Sequence, residues 1–177
     1  NDGDFSRKAL ISRTNAELAN GIGNLAQRTL SFVAKNAGGV VPPKGALHEA
    51  DNVLLAEADA LPEKVRAAVR RLAFHDALDE VWKLIRAADG YIDHQAPWTL
   101  KKTDTARMNT VLFVLVSVLR TTGILLQPFM PDSMEKLLDQ LGVAATARQF
   151  AALDTQLMEG ISLPAPAGIF PRFVETV

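Results

Sequence analysis

The 177-residue chain has no cysteine, one tyrosine, two tryptophans and three histidines. Without cysteine there is no disulfide framework and no thiolate metal site, which fits a reducing cytosol. His48, His75 and His94 do not stand at metal-ligand spacing, so no metal site is predicted; His75 reads as satisfying a core or helix-end hydrogen bond. There is no glycine-rich phosphate loop and no serine, histidine and acid grouping, so no catalytic residue is assigned. Charge of one sign is also lacking: the formal net charge is −1. That excludes a protein that coats long nucleic acid nonspecifically, but leaves room for a local contact. Apolar runs are short. The richest, Val111 to Val118, falls far below the roughly eighteen residues that a membrane span needs.

What is present suits a folded core: 48% of residues are hydrophobic and 22% charged, ordinary values for a globular domain. Glycine and proline divide the chain into helical stretches. The pattern predicts a long helix over Ser6–Lys35, ended by Asn36-Ala37-Gly38-Gly39. Further helices follow over His48–Ala60, from Pro62 to Ala73, and over Asp76–His94, where Pro97 forces a break and holds Ala96 extended. Asp104 caps a helix running to Gln127. Pro131 or Asp132 starts another that closes near Gly142, and a short helix is expected over Thr146–Leu153. Met108, Met130, Met134 and Met158 read as core gap-fillers. Pro164, Pro166, Gly168 and Pro171 preclude a continuous helix after Gly160. The expected architecture is all-α: an antiparallel helical bundle over residues 6–159, with an extended tail over 160–177 lying on its surface. Asn1-Asp2-Gly3-Asp4-Phe5 reads as the interior of a longer chain.

Two segments carry chemistry. On the first helix, Ile11, Leu18, Ile22, Leu25, Phe32 and Val33 share an apolar face, while Arg13, Glu17, Asn20, Asn24, Gln27, Arg28, Ser31 and Lys35 lie opposite. The plain reading of such a face is a solvated surface. Its composition argues for more, because Asn20 and Asn24 are poor helix formers and Gly21 and Gly23 each cost roughly 1 kcal/mol against alanine. Either a neighbouring helix packs closely on the glycines or a partner approaches the backbone there. Asn24 and Arg28 stand one turn apart, and an amide beside a planar donor fork suits the edge of a planar heterocycle.

The second segment is Asp93-His94-Gln95-Ala96-Pro97-Trp98, with Lys101 and Lys102 close behind. An aromatic plane beside clustered positive charge is how single-stranded nucleic acid is held. The segment alone leaves a second role open, in which Trp98 plugs the end of the bundle. Trp82, spaced with Leu78, Val81 and Ile85 on one helix face, reads as core.

These blocks together resemble the anticodon-binding domain of methionyl-tRNA synthetases. The resemblance rests on Asp2-Gly3-Asp4-Phe5-Ser6, Arg13-Thr14-Asn15-Ala16-Glu17-Leu18-Ala19-Asn20 and Gly23-Asn24-Leu25-Ala26-Gln27-Arg28. It continues through Tyr91-Ile92-Asp93-His94-Gln95-Ala96-Pro97-Trp98, Leu126-Gln127-Pro128-Phe129-Met130-Pro131 and Ile169-Phe170-Pro171-Arg172. The rivals are the bundle of a leucyl, isoleucyl or valyl enzyme, and a helical adaptor or dimerisation module without an RNA role. An adaptor needs an exposed apolar stripe in place of the polar face around Asn24.

The resemblance implies a class I, cytoplasmic ligase that joins methionine to its tRNA using ATP and Mg²⁺. The His-Ile-Gly-His and Lys-Met-Ser-Lys-Ser type signatures of its catalytic domain do not occur here, and its zinc knuckles belong to the upstream portion. The chain is therefore expected to be the C-terminal domain, with residues 1–5 ending the linker from a catalytic domain. It should bind no cofactor and be inactive alone, and its end resembles the form without an appended tRNA-binding domain. The implied partners are the CAU anticodon loop of tRNA(Met) and the catalytic domain of the same chain. The implied anticodon contacts are Asn24, Arg28 and Trp98, supported by Asn20, Pro97, Lys101 and Lys102. Asp93 is assigned to orienting a basic partner or repelling misplaced phosphate.

Overall fold

A computed structural model describes residues 6–155 and 157–173. The proposed linker end at residues 1–5 and the last four residues of the tail lie outside them. Among the described residues the order is α1 (Arg7–Arg13), a π-helical segment (Thr14–Ile22), α2 (Gly23–Asn36), α3 (Glu49–Arg70) and α4 (Phe74–Gln95). Then follow α5 (Pro97–Thr103), α6 (Thr105–Leu126) and α7 (Pro131–Gln140). The all-α expectation holds.

The core sits around α6. From Val111 to Val116 every side chain is buried, and the same is true from Thr122 to Leu126. This helix is long and apolar enough to cross a membrane, yet α2, α3, α4, α5 and α7 surround it and cover most of that surface. Its start is capped as expected, with the Asp104 carboxylate accepting from Arg107 N–H at 2.9 Å. α4 is antiparallel to both α3 and α6, because the start of α3 (Asp51), the end of α4 (Tyr91, Gln95) and the start of α6 (Arg107) meet at one end of the bundle.

Several boundaries differ from expectation for physical reasons. The first helix is not continuous: it passes through the π-helical segment and kinks at Gly21. Pro62 does not divide the second helical stretch, which is one helix from Glu49 to Arg70. The buried stripe Leu54, Ala58, Leu61, Val65 and Ala68 runs unbroken through the proline, and packing along it outweighs one missing backbone bond. Ala96 is not extended but left-handed, with φ 46° and ψ 62°. The clash with a following proline disfavours the right-handed helical region, and the left-handed one closes α4 equally well. The chain re-enters a helix at once, with Pro97 at the first position of α5, an element the sequence pattern did not reveal. In place of a helix over Thr146–Leu153 there are two 3₁₀ turns, Ala145–Ala147 and Phe150–Asp154. Met108 and Met134 are core residues and Met130 packs on the core, whereas Met158 is 70% exposed. His75 is exposed and meets Asp76 at the start of α4, 3.0 Å away.

From Ile161 to Phe173 the chain forms no helix. Val40 pairs with Ser162 in a lone antiparallel bridge, Ile169 is buried, and Phe170 packs against the core. The tail is tied to the π-helical segment by both amide atoms of Asn15. Its Nδ2 donates to Phe173 O at 2.8 Å, and its Oδ1 accepts from Phe173 N–H at 2.9 Å.

Candidate anticodon interface

The site forms where the middle of α2 meets the end of α4 and the start of α5. Beneath it lies a buried network. Arg107 Nη1 donates to Asp51 Oδ2 at 2.5 Å, and Nη2 donates to Asp51 Oδ1 and to Gln95 Oε1, both at 2.7 Å. The hydroxyl of Tyr91, the chain's one tyrosine, donates to Asp51 Oδ1 at 2.5 Å, and His48 N–H donates to Oδ2 at 2.8 Å. Burial works against charge on Asp51. The bonds from Arg107, Tyr91 and His48 outweigh it and hold the carboxyl below its ordinary range. Burial and the neighbouring carboxylate push the Tyr91 hydroxyl well up, so it stays a donor. This network ties α3, α4 and α6 together, and its member Gln95 stands just before the left-handed turn that launches α5.

From that turn Pro97 points inward and is buried, while Trp98 stands out with 42% of its surface exposed. Trp82 behaves in the opposite way, as expected: it is half-buried and packed on the core. The exposure of Trp98, for which two roles were left open, leaves ring surface available to a partner.

Arg28 reaches across from α2. Its Nη2 donates to Asp93 Oδ1 at 2.5 Å, and its guanidinium lies over the Trp98 ring, 5.7 Å from the centroid. Asp93 is thus paired with a basic side chain of the same domain, Arg28. The pair is open to solvent, with side-chain exposures of 33% for Arg28 and 64% for Asp93. Asn24 is exposed one turn earlier on the same face of α2. Lys101 and Lys102 are exposed on α5, and Lys101 Nζ donates to Asn36 Oδ1 at 3.3 Å, joining α5 to the end of α2. Asn20 stands apart from this group. Its Oδ1 accepts from Arg172 Nη2 at 2.7 Å and fastens the tail.

Gly23 has a local explanation. A Cβ on Gly23 would lie 2.8 Å from Leu18 O and 3.3 Å from the Phe170 ring. The close neighbours are the kinked backbone and the tail, so neither a packed helix nor an approaching partner is needed to account for Gly23. Sequence reasoning missed Asp51, Arg107 and Asp89. Asp89, half-buried on α4, lies one turn before Asp93 on the same face. An acid at the third position of α3 was the one available hint of the network.

With this geometry in place, the comparisons with known proteins are decisive. Residues 41–176 match the family model for the anticodon binding domain of methionyl tRNA ligase. The chain belongs to that family. It is 52% identical over 175 residues to a methionine–tRNA ligase of Brucella suis, covering 98% of this chain and 34% of the relative. A methionine–tRNA ligase of Mycobacterium bovis is 46% identical over 176 residues, with 97% and 34% covered. The crystal structure of apo methionyl-tRNA synthetase from Mycobacterium tuberculosis superimposes with a TM-score of 0.94 at 44% identity, over 97% of this chain and 36% of that one. The methionyl-adenylate-bound form of that enzyme gives 0.92 at 45% identity, over 94% and 34%. The chain thus spans about a third of the length of its relatives. Neither the leucyl, isoleucyl or valyl assignment nor the adaptor finds support in these matches.

Proposed function

We propose that this domain reads the anticodon of tRNA(Met), CAU, on behalf of a methionine–tRNA ligase whose catalytic portion lies in the same chain. In that setting the ligase is cytoplasmic, activates methionine with ATP and Mg²⁺, and carries any zinc outside this domain. Among the described residues no group of histidines and acids could hold a metal. The observation that carries the reading is the Arg28 guanidinium, held by Asp93 beside the exposed ring of Trp98. Anticodon loops present unstacked bases whose Watson–Crick edges can be read. Trp98 offers a stacking plane for the first base, cytosine. Arg28 then donates to cytosine O2 and N3, and Asn24 completes the polar set. Uracil carries hydrogen on N3, so a donor aimed there meets a donor. Lys101 and Lys102 add positive charge for the phosphates, and Pro97 and Asn20 contribute by holding the backbone and the tail.

The test is charging of tRNA transcripts with anticodons CAU and UAU by the full-length ligase. Arg28→Ala is expected to lower the preference for CAU by about 1–3 kcal/mol, by analogy with bidentate base readout in DNA. Arg28→Lys should restore it only in part, because an ammonium lacks the planar fork. Equal losses on both tRNAs would make Arg28 a phosphate or structural residue.

A further inference from the structure

Among the described residues, four buried side-chain polar atoms lack a partner: Thr29 Oγ1, Trp82 Nε1, Asp89 Oδ1 and Asn109 Oδ1. Only Asp89 is ionisable, and a buried carboxylate oxygen without a donor is costly to keep. The positive charge of Arg28 and the negative charge of Asp93 both act on it. Arg28 thus has two carboxylates in its surroundings. The exposed one, Asp93, holds it through a single nitrogen, and the half-buried one has an oxygen to spare. A guanidinium carries five donors, so it can serve a base and a carboxylate at once.

We propose that Asp89 is a positioning residue for Arg28, receiving the guanidinium when it leaves Asp93 to meet a base on Trp98. This deepens the base-reading role given to Arg28 and rests on it. A base stacked on Trp98 needs the guanidinium turned from the exposed rim of the site towards the base edge. Leaving Asp93 forfeits a charge-assisted bond, and an acceptor one turn lower on α4 replaces it. Asp89 also gains by the exchange. Burial pushes its carboxyl above the usual range; Arg28 lowers it, and Asp93 raises it again. While Arg28 is bound to Asp93, Asp89 is the carboxylate left without a bonded cation. The fork is then gripped from the protein side at the moment it reads the base, which confines its remaining donors to one direction.

The experiment uses the full-length ligase and the CAU and UAU transcripts. Asp89→Asn is expected to raise KM for the CAU tRNA about tenfold, the size of one charge-assisted hydrogen bond, and to reduce the CAU-to-UAU ratio of kcat/KM. Methionine-dependent exchange between pyrophosphate and ATP, and kcat for charging, should stay unchanged. Asp89→Glu, which keeps a carboxylate, should retain most of the preference. In the Arg28→Ala background Asp89→Asn should have no further effect, since Asp89 acts through Arg28. Additive losses in that double variant, or an Asp89→Glu variant as impaired as Asp89→Asn, would overturn the proposal. So would an unchanged ratio in Asp89→Asn where Arg28→Ala collapses it, and base reading by Arg28 would then stand. If Arg28→Ala itself leaves the ratio unchanged, base reading fails and the role of Asp89 fails with it.

Discussion

Two arginine–aspartate pairs lie within a few turns of each other, and they are opposites. Arg107 and Asp51 are buried, and the bonds between them are joined by Tyr91, Gln95 and the His48 amide. Arg28 and Asp93 meet through one nitrogen and one oxygen in the open, beside an exposed tryptophan. The buried pair has its acceptors occupied and no access for a partner, so its role is to hold three helices in register. The exposed pair has donors left over and costs little to separate. A binding site needs groups of the second kind, mounted on a frame built from the first.

The strongest way to break this contrast is to remove one member of the buried pair. Asp51→Leu leaves the Arg107 guanidinium buried without a counter-charge and should cost about 3–5 kcal/mol in equilibrium unfolding by urea. The same pair sets an acid limit. Because the Asp51 carboxyl is held below its unfolded value, its stabilisation is complete above about pH 4 and lost as pH falls through the lower folded value. Asp51→Leu should flatten that part of the stability profile. A variant as stable as the wild type would show that the network is not the frame.

The tryptophans sharpen the contrast at lower cost. Trp82→Ala should destabilise by about 3 kcal/mol, the low end for a large aromatic, since the ring is only half-buried. Trp98→Ala should leave the melting temperature unchanged and weaken tRNA binding by about 1–3 kcal/mol, the worth of one base stacked on an aromatic ring. Thermal melts and tRNA titrations on both variants separate the roles. A melting loss confined to Trp98→Ala would mean they are reversed.

Much of this was legible in the residues, for reasons of periodicity and chemical type. Apolar spacing located the long helices, and Asp104 and Asn36-Ala37-Gly38-Gly39 marked their ends correctly, with Gly38 and Gly39 both at positive φ. The exposed pole of α2 and the break before Trp98 stood out because each spends residues that a plain helix would not. Other features depend on distant contacts that spacing cannot show. Pro62 passes unnoticed through α3 because its stripe packs on both sides. Asn20 and Gly23 answer to Arg172 and Phe170, some 150 residues later in the chain. Asp51 and Arg107 drew no notice on their separate helices, since only the fold makes them partners. Sequence assigns Asp93 to a basic partner or to phosphate, but only the packing of α2 against α4 shows Arg28 as the group it pairs with.

Asp89 tests whether function and stability pull apart at one position. Its folded carboxyl lies above the unfolded value, so its contribution is complete below about pH 4 and lost as pH rises through the raised value. At neutral pH the buried charge is therefore a burden. Asp89→Asn should melt above the wild type at pH 7.5, with the difference closing as the solution is acidified towards pH 4. A variant that melts lower at pH 7.5 would mean that Asp89 is already satisfied in the free protein.

The smallest expected effect belongs to the exposed pair. Exposed ion pairs contribute about 0.2–1 kcal/mol, and salt screens them further. Asp93→Asn should therefore shift the unfolding midpoint by no more than that, and the shift should shrink between low salt and about 1 M, where the screening length is only about 3 Å. With 64% of the Asp93 side chain in water, its removal brings neither a large desolvation change nor a fully buried unpaired charge. If Asp93→Asn instead costs as much as Asp51→Leu, the site is part of the frame, and the division between a closed pair that holds and an open pair that reads does not describe this domain.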